Sequence, residues 1–446
     1  MLTAEICHHS LLHTKMGAEL KYYTNVQARG DSILYRGIED GKRISFVDDS
    51  FKPHLYVQSK NKTSSYHSID GKPLDEIEMG SISDARDFVK SYSEVTNFEI
   101  FGNTDYKYQY ISRNCPGEIH YDIHDFVVLT LDIETESEER FAPANDPTER
   151  INVITIKNKQ DGMRYTFCIN PTITTFPNTV INCYDTEAEM LRAFLNKWRE
   201  IDPDIITGWN IRFYDIPYIV NRCARVLGEK QTKMLSPWNW IKEEEIEYRG
   251  KNCQTFRIMG ISILDFYELY RKYTYVTQES YKLDHIAKVE LGKTKLDYTE
   301  YESIHEFYNK DFDKFVLYNI QDVDIVEELD DKLNLIDLHV GTSYIAKCNF
   351  EDNFGQVKTW DCIVYNHLND KGIIIPQKKI SEVPDSQYAG AYVKDPKVGF
   401  KDWVLSLDLN SLYPNLIIQY SIGIDTIVNK QDLLSQISKE KAKRGI

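Results

Sequence analysis

Asp132 and Glu134 stand two residues apart, directly after an apolar, β-branched run, Phe126-Val127-Val128-Leu129-Thr130. The run reads as a buried central strand. Strand side chains alternate, so both carboxylates leave one face while Leu131 and Ile133 leave the other. Like charges that close are costly unless a cation joins them, and the spacing suits a divalent ion with hard oxygen ligands. Two more acids invite the same question. Asp215 falls just inside a helix start, and Asp322 follows Tyr318 by four residues and shares its helix face. Singly, each has a plainer reading: a strand running out into solvent, an acid favoured by the helix dipole, or a solvated stripe with Asp324, Glu327 and Glu328.

The elements that must position these groups are legible around them. Beyond the carboxylate strand, Ile151–Ile156 and Met163–Ile169 bracket the turn Lys159-Gln160-Asp161-Gly162, so a meander of three strands is expected. Thr186-Glu187-Ala188-Glu189 has the form of a capping box, and Met190, Leu191, Phe194, Leu195 and Trp198 follow at helical spacing. That helix stops before Pro203, and Asp204–Thr207 begins another strand. Gly208 and Asn210 suit a strand-to-helix turn leading to Asp215. Glu243–Tyr248 and Gln254–Met259 form a hairpin whose tip, Arg249-Gly250-Lys251-Asn252, could meet phosphates or only solvent. A long helix is expected from Lys310 to Leu333, with Phe315, Ile320, Val323, Val326 and Leu329 on its apolar side. Upstream, short alternating segments near Tyr22, Ile33 and Leu55 and a capped helix over Ser83–Ser91 describe a small α/β module with nothing catalytic in it.

The chain has 446 residues, enough for several domains, with 42% hydrophobic and 27% charged residues, an ordinary globular composition. No stretch reaches the roughly 20 apolar residues of a membrane span, and no signal peptide opens the chain, so an intracellular protein is expected. The eight cysteines lack a Cys-x-x-Cys pair, which favours free thiols. Cys7, His8, His9 and His13 cluster near the start, but no second ligand pair follows at finger spacing, and a disordered leader is the expectation. The net charge is −16, unsuited to a general coat for duplex DNA. From Thr359 onward 11 Lys+Arg face 10 Asp+Glu, so a nucleic-acid surface in the acidic remainder must be a local groove.

Asp132-x-Glu134, Asn210-x-x-x-Tyr214-Asp215 and Tyr318-x-x-x-Asp322 resemble, in order and at fitting separations, the three exonuclease motifs of family B DNA polymerases. The Ser406–Asn415 string resembles polymerase motif A, and Gln387-Tyr388-Ala389-Gly390-Ala391 the family's Tyr-x-Gly-Gly/Ala segment. Strings such as Thr207-Gly208-Trp209-Asn210 and Lys358-Thr359-Trp360-Asp361 place the resemblance on the T-even bacteriophage branch. It covers about Met16 to Thr426.

The resemblance implies a multi-domain α/β protein: an RNase H-like 3′→5′ exonuclease over 127–335, a small α/β N-terminal domain over 16–126 completed by about 336–378, and an incomplete polymerase palm over 379–446, after a leader at 1–15. It implies that Asp132, Glu134, Asp215 and Asp322 hold two Mg²⁺ ions, that Tyr318 orients the attacking water, and that Asp408 is a ligand at a polymerase centre. Leu409, Ser411 and Leu412 would face a deoxynucleoside triphosphate, and the Tyr413 ring would close the space of a ribose 2′-OH. Tyr388, Gly390, Ala391, Arg249 and Lys251 would touch a DNA primer-template or its single-stranded 3′ end; Gly390 would permit close backbone approach. The family's motifs B and C do not occur before Ile446, so the expectation is one half of a split polymerase. A second polypeptide would carry those motifs, and through it a sliding clamp would bind, in the cytoplasm of a phage-infected bacterium. Trp403-Val404-Leu405 should enter motif A as a strand, and an incomplete palm would expose an apolar sheet edge. The alternatives are a stand-alone 3′→5′ exonuclease and a non-catalytic nucleic-acid-binding fragment.

Overall fold

In a computed structural model of the protein, the described residues run from 21 to 423, apart from 62, 94, 97, 137–142, 249, 298–299, 302 and 378–391; 426, 434 and 437 are also described. The expected leader therefore lies outside the described residues. Contacts divide the chain into two units, Met1–Lys379 and Ile380–Ile446.

The first unit opens with an antiparallel three-stranded sheet, β1 (Lys21–Arg29), β2 (Ser32–Glu39) and β3 (Lys42–Asp48). A second sheet follows, from β4 (His54–Gln58), β5 (Tyr66–Ser68), β6 (Pro73–Glu78) and, after helix α1 (Ile82–Tyr92), β7 (Ile100–Phe101). Ser81 caps α1 by accepting from the Asp84 amide, so the helix starts at Ile82, one residue before the expected Ser83. Helix α2 (Tyr106–Asn114) then leads to the central strand.

Strand β8 (Val128–Thr135) lies inside a six-stranded sheet. Antiparallel β9 (Ile151–Asn158) and β10 (Arg164–Ile169) flank it on one side, as the meander requires, and β11 (Thr179–Tyr184) adds a parallel edge strand that the sequence reading did not identify. Helix α3 (Glu187–Ile201) follows. The Thr186 hydroxyl accepts from the Glu189 amide, 3.3 Å, and the helix ends on a left-handed Asp202 before Pro203. Strand β12 (Ile205–Thr207) runs parallel to β8 on its other side, and helix α4 spans Asp215–Leu227. Leu131 and Ile133 bury themselves against Phe194, Leu195, Trp198 and Ile219 of these two helices, each such side chain contributing roughly 1.5–3 kcal/mol.

A hairpin of β13 (Ile241–Tyr248) and β14 (Lys251–Ile258) precedes β15 (Ser262–Ile263), which pairs with β12 at the sheet edge. Helices α5 (Phe266–Tyr273), α6 (Leu283–Leu291) and α7 (Ile304–Lys310) come next. The long helix α8 runs from Phe312 to Leu333 rather than from Lys310. Asp311 breaks the expected run because its side chain caps α8, accepting from the Lys314 amide, 3.0 Å. Phe315, Val316 and Ile320 of α8 pack on Val153 of β9 and Cys168 of β10, so α8 covers the sheet face that carries the carboxylates. Helices α9 (Leu335–Ala346) and α10 (Gln356–Asn369) and strand β16 (Ile373–Ile374) return the chain to β5.

The second unit corrects one expectation. Trp403, Val404 and Leu405 form no strand; they are exposed and lack regular structure. Among the described residues nothing pairs with them, and an isolated strand leaves its amides and carbonyls to water, with no ladder to hold it. Helix α11 (Leu412–Tyr420) follows, with Ser411 in the left-handed region at its start. Among the described residues no helix is long and apolar enough to cross a membrane.

Candidate active site

Strand β12 pairs with β8 over Val128–Thr130 and β9 pairs along it past Asp132 and Glu134, with a register shift between Glu134 and Thr135, so the two acids emerge together beneath α8. Helix α8 adds Asp322. Ligand oxygens of Asp132, Glu134 and Asp322 lie within 4.8 Å of one another, Asp322 buried and the other two half-buried. Asp215, the first residue of α4, joins them: its Oδ1 accepts the Ile133 amide at 3.1 Å, between the two strand acids. Four acids separated by up to 190 residues thus meet around one strand end.

The neighbours are specific. Asn319, one turn before Val323, donates through Nδ2 to Asp132 Oδ2 at 2.7 Å. Lys295 donates through Nζ to Asp322 Oδ2 at 2.5 Å and to the Tyr318 hydroxyl at 3.2 Å. Thr135 Oγ1 and the Tyr214 hydroxyl are 3.3 Å apart. Neither Lys295 nor Asn319 figured among the sequence candidates. Lys295 lies in a loop without periodicity, 27 residues from Asp322, and nothing in its spacing marks it. Asn319 did carry a signal: it is a polar residue in the apolar stripe between Phe315 and Val323.

Electrostatics follow from this crowding. Burial, and then the charges of Asp322, Asp215 and Glu134, hold the Asp132 carboxyl well above the ordinary range. Glu134 is pushed up to about 8 by burial and by Asp322. Burial raises Asp215 to about 7 against the lowering effect of the Ile133 amide. Burial also raises Asp322, opposed by Lys295. Burial would lower the Lys295 ammonium, but Asp322 and Tyr318 outweigh it and raise it.

The donor set fits a divalent cation. Hard carboxylate oxygens converge, Asp322 Oδ1 is buried with no hydrogen-bond partner, and a bound cation would offset the burial, and the repulsion between acids, that raise these carboxyls. A site of this kind can activate a water against a phosphodiester.

Asp408, Leu409, Ser411, Leu412 and Tyr413 belong to the second unit and are exposed. Among the described residues Asp408 joins no cluster of three metal-ligating side chains. Tyr388, Gly390, Ala391, Arg249 and the Lys251 side chain lie outside the described residues.

Residues 88–286 match the family model described as DNA polymerase family B, exonuclease domain, and residues 354–444 match DNA polymerase family B. The DNA-directed DNA polymerase of Escherichia phage RB69 is 31% identical over 433 residues, which are 91% of this chain and 47% of that protein. That of Enterobacteria phage T4 is 31% identical over 432 residues, with the same shares. The DNA polymerase delta catalytic subunit of Drosophila melanogaster is 27% identical over 338 residues, 72% of this chain and 30% of its own length. The chain therefore spans about half the length of the two phage relatives.

Proposed function

The chain belongs to the family B DNA polymerases, and from that premise we propose that it removes nucleotides from DNA 3′ ends with a metal-dependent exonuclease centred on β8. The observation that carries this reading is the convergence of Asp132, Glu134 and Asp322 oxygens within 4.8 Å, with Asp215 on the adjoining amide. We assign Mg²⁺ to these four acids. These four acids would hold two such ions, and the chemistry supplied would be an activated water and charge stabilisation at the leaving 3′ oxygen. Tyr318 orients that water through its hydroxyl, and Lys295 neutralises Asp322 and fixes the Tyr318 oxygen. Asn319 holds the Asp132 carboxylate in the rotamer that faces the other acids. The basic tip of the β13–β14 hairpin, Arg249 and Lys251, would meet the DNA backbone.

For synthesis we assign Asp408 as a metal ligand, with Leu409, Ser411, Leu412 and Tyr413 lining the nucleotide site and Tyr388, Gly390 and Ala391 on the template. One carboxylate cannot hold two ions and a triphosphate, so the synthesis centre proposed here needs ligands beyond Asp408, which we assign to the family's motifs B and C. In this reading, 16–126 with 336–378, 127–335 and 379–446 are the N-terminal, exonuclease and partial palm domains, working inside an infected bacterial cell.

The test uses the purified chain, a 5′-labelled primer on its template, Mg²⁺ and the four deoxynucleotides. Shortening of the primer without extension is expected, and the double variant Asp132→Ala/Glu134→Ala should lose at least about 10³-fold in rate while still binding DNA. Nuclease activity that survives this double change would remove the metal assignment. Extension by these residues alone would remove the need for motifs B and C.

A further inference from the structure

Asp215 can serve the site only if the turn that delivers it is rigid; the turn's own bonds run from the Phe213 and Tyr214 amides to the Asn210 carbonyl, 3.3 and 3.2 Å, so it is held in place through Asn210. Asn210 stands at φ 66°, in the left-handed region. On one side the turn presses on the carboxylate strand: a Cβ on Gly208 would run into the Leu131 carbonyl oxygen. On the other side stands Asp265, fully buried at the end of β15. Its Oδ1 accepts the Asn210 amide at 3.0 Å and its Oδ2 the Arg212 amide at 2.9 Å. Oδ1 also accepts the Tyr267 amide, 3.0 Å, capping α5. The Phe266 amide donates to Gly208 O at 2.9 Å, which completes the clamp. Both oxygens of one buried carboxylate are thus spent on the main chain just before Asp215.

We propose that Asp265 is a positioning residue: by gripping the amides of Asn210 and Arg212 it sets where Asp215 stands relative to Asp132 and Glu134, without itself touching metal or substrate. This rests on the exonuclease reading above. Asp265→Asn is close in shape, yet in either orientation its amide nitrogen faces a main-chain N–H, so the turn must shift. A shift of the order of an ångström costs about 10²-fold in rate.

The test measures nucleotide release from a 5′-labelled single-stranded oligonucleotide in Mg²⁺, and Mn²⁺ binding by calorimetry. The full chain is compared with Asp265→Asn, Asp215→Asn and the double variant. Asp265→Asn should lower kcat roughly 10- to 100-fold with KM within about twofold and weaken Mn²⁺ binding. It should add no further loss in the Asp215→Asn background, because coupled residues are not additive; Mn²⁺ affinity carries this comparison where rates fall below detection. Equal losses in both backgrounds, or unchanged kcat and Mn²⁺ affinity in Asp265→Asn, overturn the proposal. If Asp265→Asn does not fold, Asp265→Glu, which keeps both acceptor oxygens but displaces them, takes its place under the same two criteria. A parent chain that neither releases nucleotides nor binds Mn²⁺ would instead overturn the exonuclease reading, and this proposal with it.

Discussion

The Tyr318 hydroxyl sits 3.2 Å from the Lys295 ammonium, which in turn lies on Asp322. Burial, and then the charge of Asp322, raises the phenol above its ordinary range, so it stays protonated and can orient a water but not act as a base. Its part in the chemistry is then separable from metal binding. Tyr318→Phe keeps the ring between Lys295 and Phe307 and removes only the oxygen. The expected result is a fall of about 10²-fold in exonuclease rate with Mn²⁺ affinity, read by calorimetry, within about twofold of the parent. A matching fall in affinity would make Tyr318 part of the ligand shell.

At the level of elements, α9 carries a second buried group with a defined protonation state. His339 is fully buried; its Nε2 donates to Phe350 O at 2.9 Å and its Nδ1 lies 2.9 Å from the Tyr273 hydroxyl, which donates to it. Burial, then Lys272, lowers its pKa to about 3 and keeps the ring neutral, with the proton on Nε2 facing the Phe350 carbonyl. The sign is clear: between about pH 6.5 and 3 the unfolded chain takes up a proton that the folded one refuses, so stability falls as pH falls. One such proton is worth up to about 1.4 kcal/mol per pH unit. Urea denaturation of the parent at pH 6.5 and 5.0 should show this loss, and His339→Gln, which can still donate to Phe350 O, should show less of it. Equal slopes in the two proteins would mean that other groups carry the effect.

Within the first unit as a whole, Asp352 ties three parts of the chain together. It accepts from Lys107 (3.0 Å) and the Tyr108 hydroxyl of α2, and from Arg257 (2.8 Å) at the base of the hairpin. Burial alone would raise its carboxyl, but Lys107 and Arg257 hold it well below the ordinary range. Its contribution is therefore complete above about pH 4 and fades as pH falls further. Asp352→Ala should cost about 3 kcal/mol at pH 7 by chemical denaturation, the low end for a broken buried pair, since Arg257 and Lys107 keep part of their surface in water. The difference from the parent should shrink toward pH 3. A cost below about 1 kcal/mol at pH 7 would place the ion pairs among weak surface contacts.

Short-range order was readable from the chain itself. The continuous apolar run before Asp132, the capping box at Thr186, the turn at Lys159–Gly162 and the stripe of α8 each express backbone geometry over about ten residues, which sequence spacing records directly. That is why β8, its two carboxylates on one face and the meander beside it were all legible. Only tertiary structure decided what reaches them. Packing of α8 on the sheet brings Asp322 and Asn319 to Asp132, closure of a loop without periodicity brings Lys295 to Asp322, and Asp265 finds two amides more than fifty residues upstream. The missing strand at Trp403–Leu405 has the same cause: a strand needs a ladder partner, and local β propensity cannot supply one. Spacing fixes which side chains share a face, whereas which faces meet depends on how the whole chain buries its apolar surface.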